Sequence, residues 1–276
     1  MDHLNLIGPG KLGQTLARLW VAGGHLRLVG VLGRDIARVQ AAVTLIGAQP
    51  RAATQVTQLP PARITLIATP DDALADVAQD LLAGGRMRAG DIVLHCSGAT
   101  PSAALTPLQQ AGVLIASVHP LKSFAGPASA SNTFAGTWCG AEGDAAALAV
   151  LQPLFEAIGG RWFALKAEHK LLYHAGAVLA CNHLVALMEA ALRCMETAGL
   201  PRDFAWAALQ PLVVGTLTNL SQRGTVQALT GPAARGDLRI LTAESVATQQ
   251  LGAAVGNVYD ALTVVALELA ASKSSV

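Results

Sequence analysis

The chain is short of charge. Asp, Glu, Lys and Arg make up 13% of its 276 residues, about half the usual share, and they nearly cancel at a formal +1. So weak a field collects neither nucleic acid nor an anionic membrane surface, and neither is expected as a partner. Cysteine is scarce as well: Cys96, Cys139, Cys181 and Cys194. None forms a CxxC pair and their spacing fits no zinc pattern, so no disulfide framework and no metal site are expected. They read as reduced thiols of a cytoplasmic protein, and no basic, then apolar, then small-residue leader opens the chain. Two charge-poor stretches, Leu171–Met188 and Phe204–Gln222, approach membrane-spanning length. Their polar content (His174, Asn182 and His183; Gln210, Pro211, Thr216, Thr218 and Asn219) predicts buried helices of a soluble protein instead.

Hydrophobic residues are abundant, at 52%, enough to build a core without covalent staples. In the first half, β-like runs (His3–Gly8, Leu26–Leu32, Arg63–Thr69, Asp91–Cys96, Val113–His119) alternate with helical stretches (Lys11–Ala22, Ile36–Ile46, Asp72–Ala83, Pro101–Ala111). This alternation predicts an α/β fold, a doubly wound Rossmann domain with a parallel sheet. Leu121–Thr133 reads as a loop. A strand (Phe134–Gly140), a helix (Asp144–Ile158) and a short strand (Arg161–Leu165) finish a domain over residues 1–165. Residues 166–276 read as all-helical: a long helix to about Ala198, a second from Asp203 to Gln222, and more helix after LTGPAARGD.

Gly8-Pro9-Gly10-Lys11-Leu12-Gly13 fits GxGxxG, ends a strand and opens a helix. That context is the dinucleotide fingerprint: a tight turn, a backbone close to the pyrophosphate, and close helix–strand packing. NAD-binding chains place a carboxylate at the end of the next strand. Here the residues are Gly33-Arg34-Asp35, and a guanidinium suits a 2′-phosphate, so NADP is expected over NAD. Arg34 also reads as a solvated residue beside Asp35, an N-cap.

Ligands of such sheets lie outside the carboxyl ends of the strands. Thr69-Pro70-Asp71-Asp72 stands at one such end, Ser97-Gly98 at another and His119-Pro120 at a third. Asp71 and Asp72 also read as helix caps, and His119 as a loop histidine held by its neighbours. Ser97 is a candidate to orient a substrate carbonyl or carboxylate. Farther on, Lys170 and His174 share one helix face, Cys181 continues the stripe and Asn182 sits at its edge. His169 and His183 point elsewhere. A solvated Lys170 with a core His174 is the alternative.

In order, GPGKLGQ, ATPDD, HCSGA, HPLKSF, KLLYHAGAVLACNH and LTGPAARGD resemble the Rossmann-like oxidoreductases that carry a helical domain of unknown function (family 2520). More distantly the layout is similar to pyrroline-5-carboxylate reductases, β-hydroxyacid dehydrogenases and deazaflavin-dependent NADP reductases. The resemblance implies a helical domain like the C-terminal domain of 6-phosphogluconate dehydrogenases. Lys170 matches the catalytic lysine of β-hydroxyacid dehydrogenases by position, and His174 stands where their asparagine would be. The Gly-rich run before that lysine is missing. The break at Gly231–Asp237 reads as a turn, and by the resemblance it would line the cleft; Asn182 and Arg235 are then substrate contacts, with an Arg235–Asp237 pair as the alternative for Arg235. The resulting expectation is an NADP-dependent oxidoreductase, homodimeric through its helical domain. It would move a hydride to or from a small C=O or C=N compound, with Lys170 as proton donor and His174 orienting. A non-catalytic dinucleotide-binding regulator and an imine reductase are the alternatives.

Overall fold

The computed structural model describes residues 1–124 and 134–273. Residues 125–133, most of the loop expected over Leu121–Thr133, lie outside the described residues. The strands are β1 (Asp2–Ile7), β2 (Leu26–Leu32), β3 (Arg51–Ala53), β4 (Ile64–Ile67), β5 (Ile92–His95), β6 (Leu114–Pro120), β7 (Trp138–Gly143) and β8 (Arg161–Ala164). They form one sheet in the order β3-β2-β1-β4-β5-β6-β7-β8. The first six are parallel; β7 runs antiparallel to β6, and β8 parallel to β7.

The helices of this part are α1 (Lys11–Ala22), α2 (Ile36–Ile46), α3 (Leu74–Ala83) and α4 (Ala145–Ala157). Period-2 alternation along β1 divides its side chains between two cores. Leu4 and Leu6 join Leu16, Ala17 and Trp20 of α1 and Leu151 and Phe155 of α4. Ile7 joins Leu74, Ala78 and Leu81 of α3 and Leu105 and Leu108 of the segment after β5. Trp20 ties α1 to α4: its ring meets Phe155 edge-on at 5.2 Å and its Nε1–H donates to the Leu154 carbonyl at 2.8 Å. Burying a side chain of that size contributes roughly 1.5–3 kcal/mol. The helix expected over Pro101–Ala111 is a 3-10 helix at Ser102–Ala111, with Pro107 inside it. Proline removes an amide donor from the α ladder.

By contacts the chain divides into two compact units, Met1–Ala177 and Val178–Val276. The first turns of α5 (Lys170–Ala180) therefore belong with the sheet. The single helix expected to Ala198 is two: at Cys181 the backbone turns to φ −116° and ψ −66°, and α6 (Asn182–Thr197) follows. The second unit continues with α7 (Arg202–Ala228), α8 (Gly231–Arg235), α9 (Leu238–Gln250) and α10 (Ala253–Lys273). Within it few apolar side chains are buried, among them Leu192, Ala205, Leu241 and Val255. Leu179, Val185, Leu212 and Val214 are exposed. The expectation that Leu171–Met188 and Phe204–Gln222 are buried is therefore corrected, because nothing among the described residues covers these helix faces. Residues 167–197 and 253–273 are long and apolar enough to cross a membrane by length and composition.

Candidate active site

The glycine turn is shaped by what surrounds it. Gly8 has φ +83°, which disfavours a side chain, and a Cβ there would lie 2.8 Å from the Thr69 amide. A Cβ on Gly13 would meet Leu6 at 2.8 Å and Ala68 at 3.0 Å, so α1 packs directly on the strands. The Gly8 amide donates to the Leu32 carbonyl at 2.9 Å, pinning the turn to the end of β2. Gly10 differs: a Cβ there would meet nothing nearer than the Ala68 carbonyl at 3.9 Å. It is the N-cap of α1, with no side-chain cap and no acidic residue in the first turn, and Lys11 beside it is exposed. Free amides, a positive dipole end and open space over Gly10 together form an anion site. Leu12 packs against the core beneath it.

The second wall also fits a dinucleotide. Gly33 abuts Pro9, where a Cβ would sit 3.1 Å from the proline ring. Arg34 follows, exposed and without a hydrogen-bond or ion-pair partner among the described residues. Asp35 is engaged separately, capping α2 by accepting from the Ala37 amide at 2.8 Å and the Arg38 amide at 3.4 Å. The Thr69 hydroxyl oxygen, against Gly8, is buried with no partner among the described residues, and Pro70 beyond it is exposed. A cradle that side chains cannot fill, a free guanidinium and an orphaned hydroxyl fit a nicotinamide dinucleotide.

Three strands farther along, a polar row crosses the sheet. His95 of β5 pairs in register with Ser117 of β6, and Ser117 with Glu142 of β7. Lys170 reaches this row from α5, is 0% exposed, donates to the Ser117 hydroxyl and lies 3.1 Å from Glu142 Oε1. Glu142 also accepts from the Ser102 amide at 2.7 Å and the Ser102 hydroxyl at 2.6 Å. Burial pushes the Lys170 pKa down while Glu142 opposes the shift. The expectation of an amine facing the crevice as proton donor is therefore corrected. Lys170 is sealed beneath the surface and its charge is compensated, because a bare buried ammonium would be too costly. Burial, and next the Lys170 charge, hold His95 down at about 4. Its Nδ1 lies 3.2 Å from the Ser97 amide and its Nε2 3.2 Å from the Pro101 carbonyl.

The groups that do reach the strand ends are His119, Tyr173 and His174. Ser117 and His119, two apart on β6, share a face; Lys170 and Tyr173, three apart on α5, lie on them. The Tyr173 hydroxyl is 2.9 Å from His119 Nδ1. Gly140, opposite His119 on β7, makes room: a Cβ there would sit 2.9 Å from the Phe163 ring and 3.2 Å from the Tyr173 hydroxyl. Gly98 does the same on the other side, where a Cβ would lie 2.8 Å from His119 Nε2 and collide with His174 Nδ1. The two imidazoles meet edge to face with centroids 5.8 Å apart, and His174 Nδ1 is buried without a partner among the described residues. Burial, then His174, then Lys170 hold His119 down at about 4; burial raises Tyr173 to about 12.

Ser97 is committed elsewhere. Its hydroxyl donates to Asp71 Oδ2 at 2.5 Å and accepts from the Ala99 and Thr100 amides at 3.2 and 2.8 Å. It builds the turn after β5 and has no proton left to orient a substrate. Asp71 binds this turn instead of capping a helix through its side chain. Asn182 and Arg235 lie in the second unit and are both exposed, as are His169 and His183. Among the described residues no cluster of His, Cys, Asp and Glu could hold a metal ion. Tyr173, His95, Ser117 and Glu142 were not singled out by sequence as site residues. The alternation Ser117-Val118-His119, with a charged Glu142 inside an apolar strand, is the signal that points to them.

Fold and cradle define a dinucleotide-binding protein of the doubly wound class. The Rossmann-like domain model matches residues 3–120, and that of a domain of unknown function (DUF2520) matches residues 137–265. The two matches follow one another along the chain. Among solved structures, it is similar to the protein TM1727 from Thermotoga maritima (25% identity, 98% of this chain and 99% of that one, TM-score 0.77). BF3122 from Bacteroides fragilis, provisionally named an NADP oxidoreductase, is similar over 97% of this chain and 98% of its own (21% identity, TM-score 0.77). So is the Plasmodium falciparum pyrroline carboxylate reductase with NADP bound (11% identity, 98% of each chain, TM-score 0.57). No curated protein matches the chain.

Proposed function

We propose that the protein is an oxidoreductase that moves a hydride between NADP(H) and a small C=O or C=N compound. The observation that carries this reading is the cradle at Gly8–Gly13, with the uncapped start of α1 and the unpartnered Arg34 beside it. The names of the similar proteins point the same way. The α1 amides and Lys11 would hold the pyrophosphate, Arg34 the 2′-phosphate, and the Thr69 hydroxyl a polar group near the turn. The bound dinucleotide supplies the hydride. His119 then acts as a neutral ring whose N–H polarises the substrate's oxygen or nitrogen, since burial keeps it from charging near neutral pH. His174 walls the same place, and Lys170 stands behind both as a buried cation.

The test begins with calorimetric titration of NADPH and NADH, followed by turnover of small keto acids and cyclic imines. A chain that binds neither dinucleotide overturns the reading; one that binds NADPH tightly and turns nothing over is a regulator.

The second unit supports a homodimer. Four of the six charged residues between 171 and 234 are taken up in the ion pairs Glu189–Arg193, Glu189–Arg202 and Glu196–Arg202, while apolar faces of α6, α7 and α10 stand open. A second copy offers equally uncharged, apolar faces to cover them.

A further inference from the structure

We infer that Tyr173 is a positioning residue that keeps the proton of His119 on Nε2 and replaces that proton when it leaves. The inference rests on the oxidoreductase reading for what His119 does, and on geometry for what Tyr173 does. The Tyr173 hydroxyl lies 2.9 Å from Nδ1, and His119 is its one hydrogen-bond partner among the described residues. Its ring is held in that pose from two sides, edge-on to His119 at 5.6 Å and against Phe163 at 6.0 Å. Gly140 leaves the space that the hydroxyl and the Phe163 ring need. A phenol O–H donating to Nδ1 forces the neutral imidazole to carry its own proton on Nε2, the nitrogen turned toward Gly98 at the strand ends.

A neutral imidazole has one N–H, so the tautomer decides whether it can donate at all. Hydride addition to a carbonyl or imine carbon leaves a lone pair and negative charge on the oxygen or nitrogen. The Nε2 proton passes to that atom. As Nε2 gives up its proton the Tyr173 proton shifts to Nδ1, so the ring stays neutral; Nε2 then takes a proton from solvent and Nδ1 returns its own to the Tyr173 oxygen, which restores the phenol and the Nε2–H tautomer. The charged and titratable groups facing His119 are Tyr173, His174 and Lys170 from α5, and Asp71 from the segment after β4.

The test is nitrogen NMR of the histidine rings near neutral pH, in the native chain and in Tyr173→Phe, with NADPH affinity and kcat measured beside it. The expected result is an Nε2–H tautomer for His119 in the native chain and a tautomer mixture in the variant. With a substrate in hand, kcat should fall at least about tenfold while KM and NADPH affinity hold, since fixing a catalytic imidazole's tautomer is a large effect. Gly140→Ala, which crowds the hydroxyl without removing it, should shift the tautomer in the same direction if Tyr173→Phe does not fold. An Nδ1–H tautomer in the native chain, or an unchanged His119 in the variants, overturns the inference. Failure to bind NADPH would overturn the oxidoreductase reading and leave the tautomer measurement standing.

Discussion

Lys170 and Glu142 form a buried ion pair, 3.1 Å from Nζ to Oε1, with the lysine wholly out of water. The pair joins α5 to β7 at the level of Ser117 and sets where the next turn of α5, carrying Tyr173 and His174, lies over β6. Lys170→Met should leave Glu142 as an uncompensated buried charge and destabilise the fold by about 3–5 kcal/mol. Lys170→Met combined with Glu142→Gln should recover part of that loss. Urea unfolding measures both; an unchanged midpoint for Lys170→Met would show that the lysine is not structural.

Buried His95 and half-buried His119 predict an acid-labile fold. His95 and His119 are held from their ordinary value of 6.5 down to about 4, chiefly by burial. Between those values the unfolded chain binds protons that the folded chain refuses. Their contribution is complete above pH 6.5 and is lost as pH falls toward 4, with a slope of about two protons. Urea midpoints taken through that window check this, and His95→Gln should flatten the slope by about one proton. A flat midpoint in the native chain would refute it.

Gly10→Ala separates ligand from fold. The added methyl would meet no protein atom nearer than 3.9 Å, so the thermal midpoint should hold. It would stand where the pyrophosphate approaches, so NADPH affinity should fall at least about tenfold. Gly8→Ala, forced into φ +83° and against Thr69, should cost stability as well. Unchanged NADPH affinity in Gly10→Ala would place the dinucleotide elsewhere.

Cofactor choice is expected to rest on Arg34. Charge-assisted hydrogen bonds contribute about 1.5–3 kcal/mol, so Arg34→Ala should weaken NADPH about 10- to 100-fold and leave NADH nearly unchanged. Calorimetry with both cofactors decides it: equal losses, or none, would remove Arg34 from the site.

The apolar faces of the second unit predict association in solution. Light scattering at low micromolar concentration should report about twice the 28.3 kDa chain mass. A monomer across that range would refute the dimer.

The glycine cradle and the six-stranded parallel half of the fold were largely legible because each announces itself locally, by spacing in GPGKLG and by apolar runs such as ITLI. The exception there is β3, whose three residues, Arg-Ala-Ala, carry no apolar run. The strand expected over Phe134–Gly140 lies at Trp138–Gly143, displaced because Glu142 looks like the end of a strand until its partners are known. The same blindness hid the chemistry. Helix periodicity put Lys170 and His174 on one face, but it could not say that β6 offers Ser117 to the lysine and His119 to Tyr173, which lies between them in sequence. Those meetings depend on register between strands distant in the chain.

That register has a consequence for how the domain assembles. A one-residue slip of β7 against β6 would turn Glu142 to the opposite face and part it from Lys170. Both charges would then be stranded in a water-poor interior, so misaligned sheets are penalised before they can mature. The hypothesis has a kinetic signature: Glu142→Gln should slow refolding more than it speeds unfolding, and the reverse would rule it out. On this hypothesis the ion pair beneath the strand ends checks the alignment of β7 against β6 while the sheet is forming.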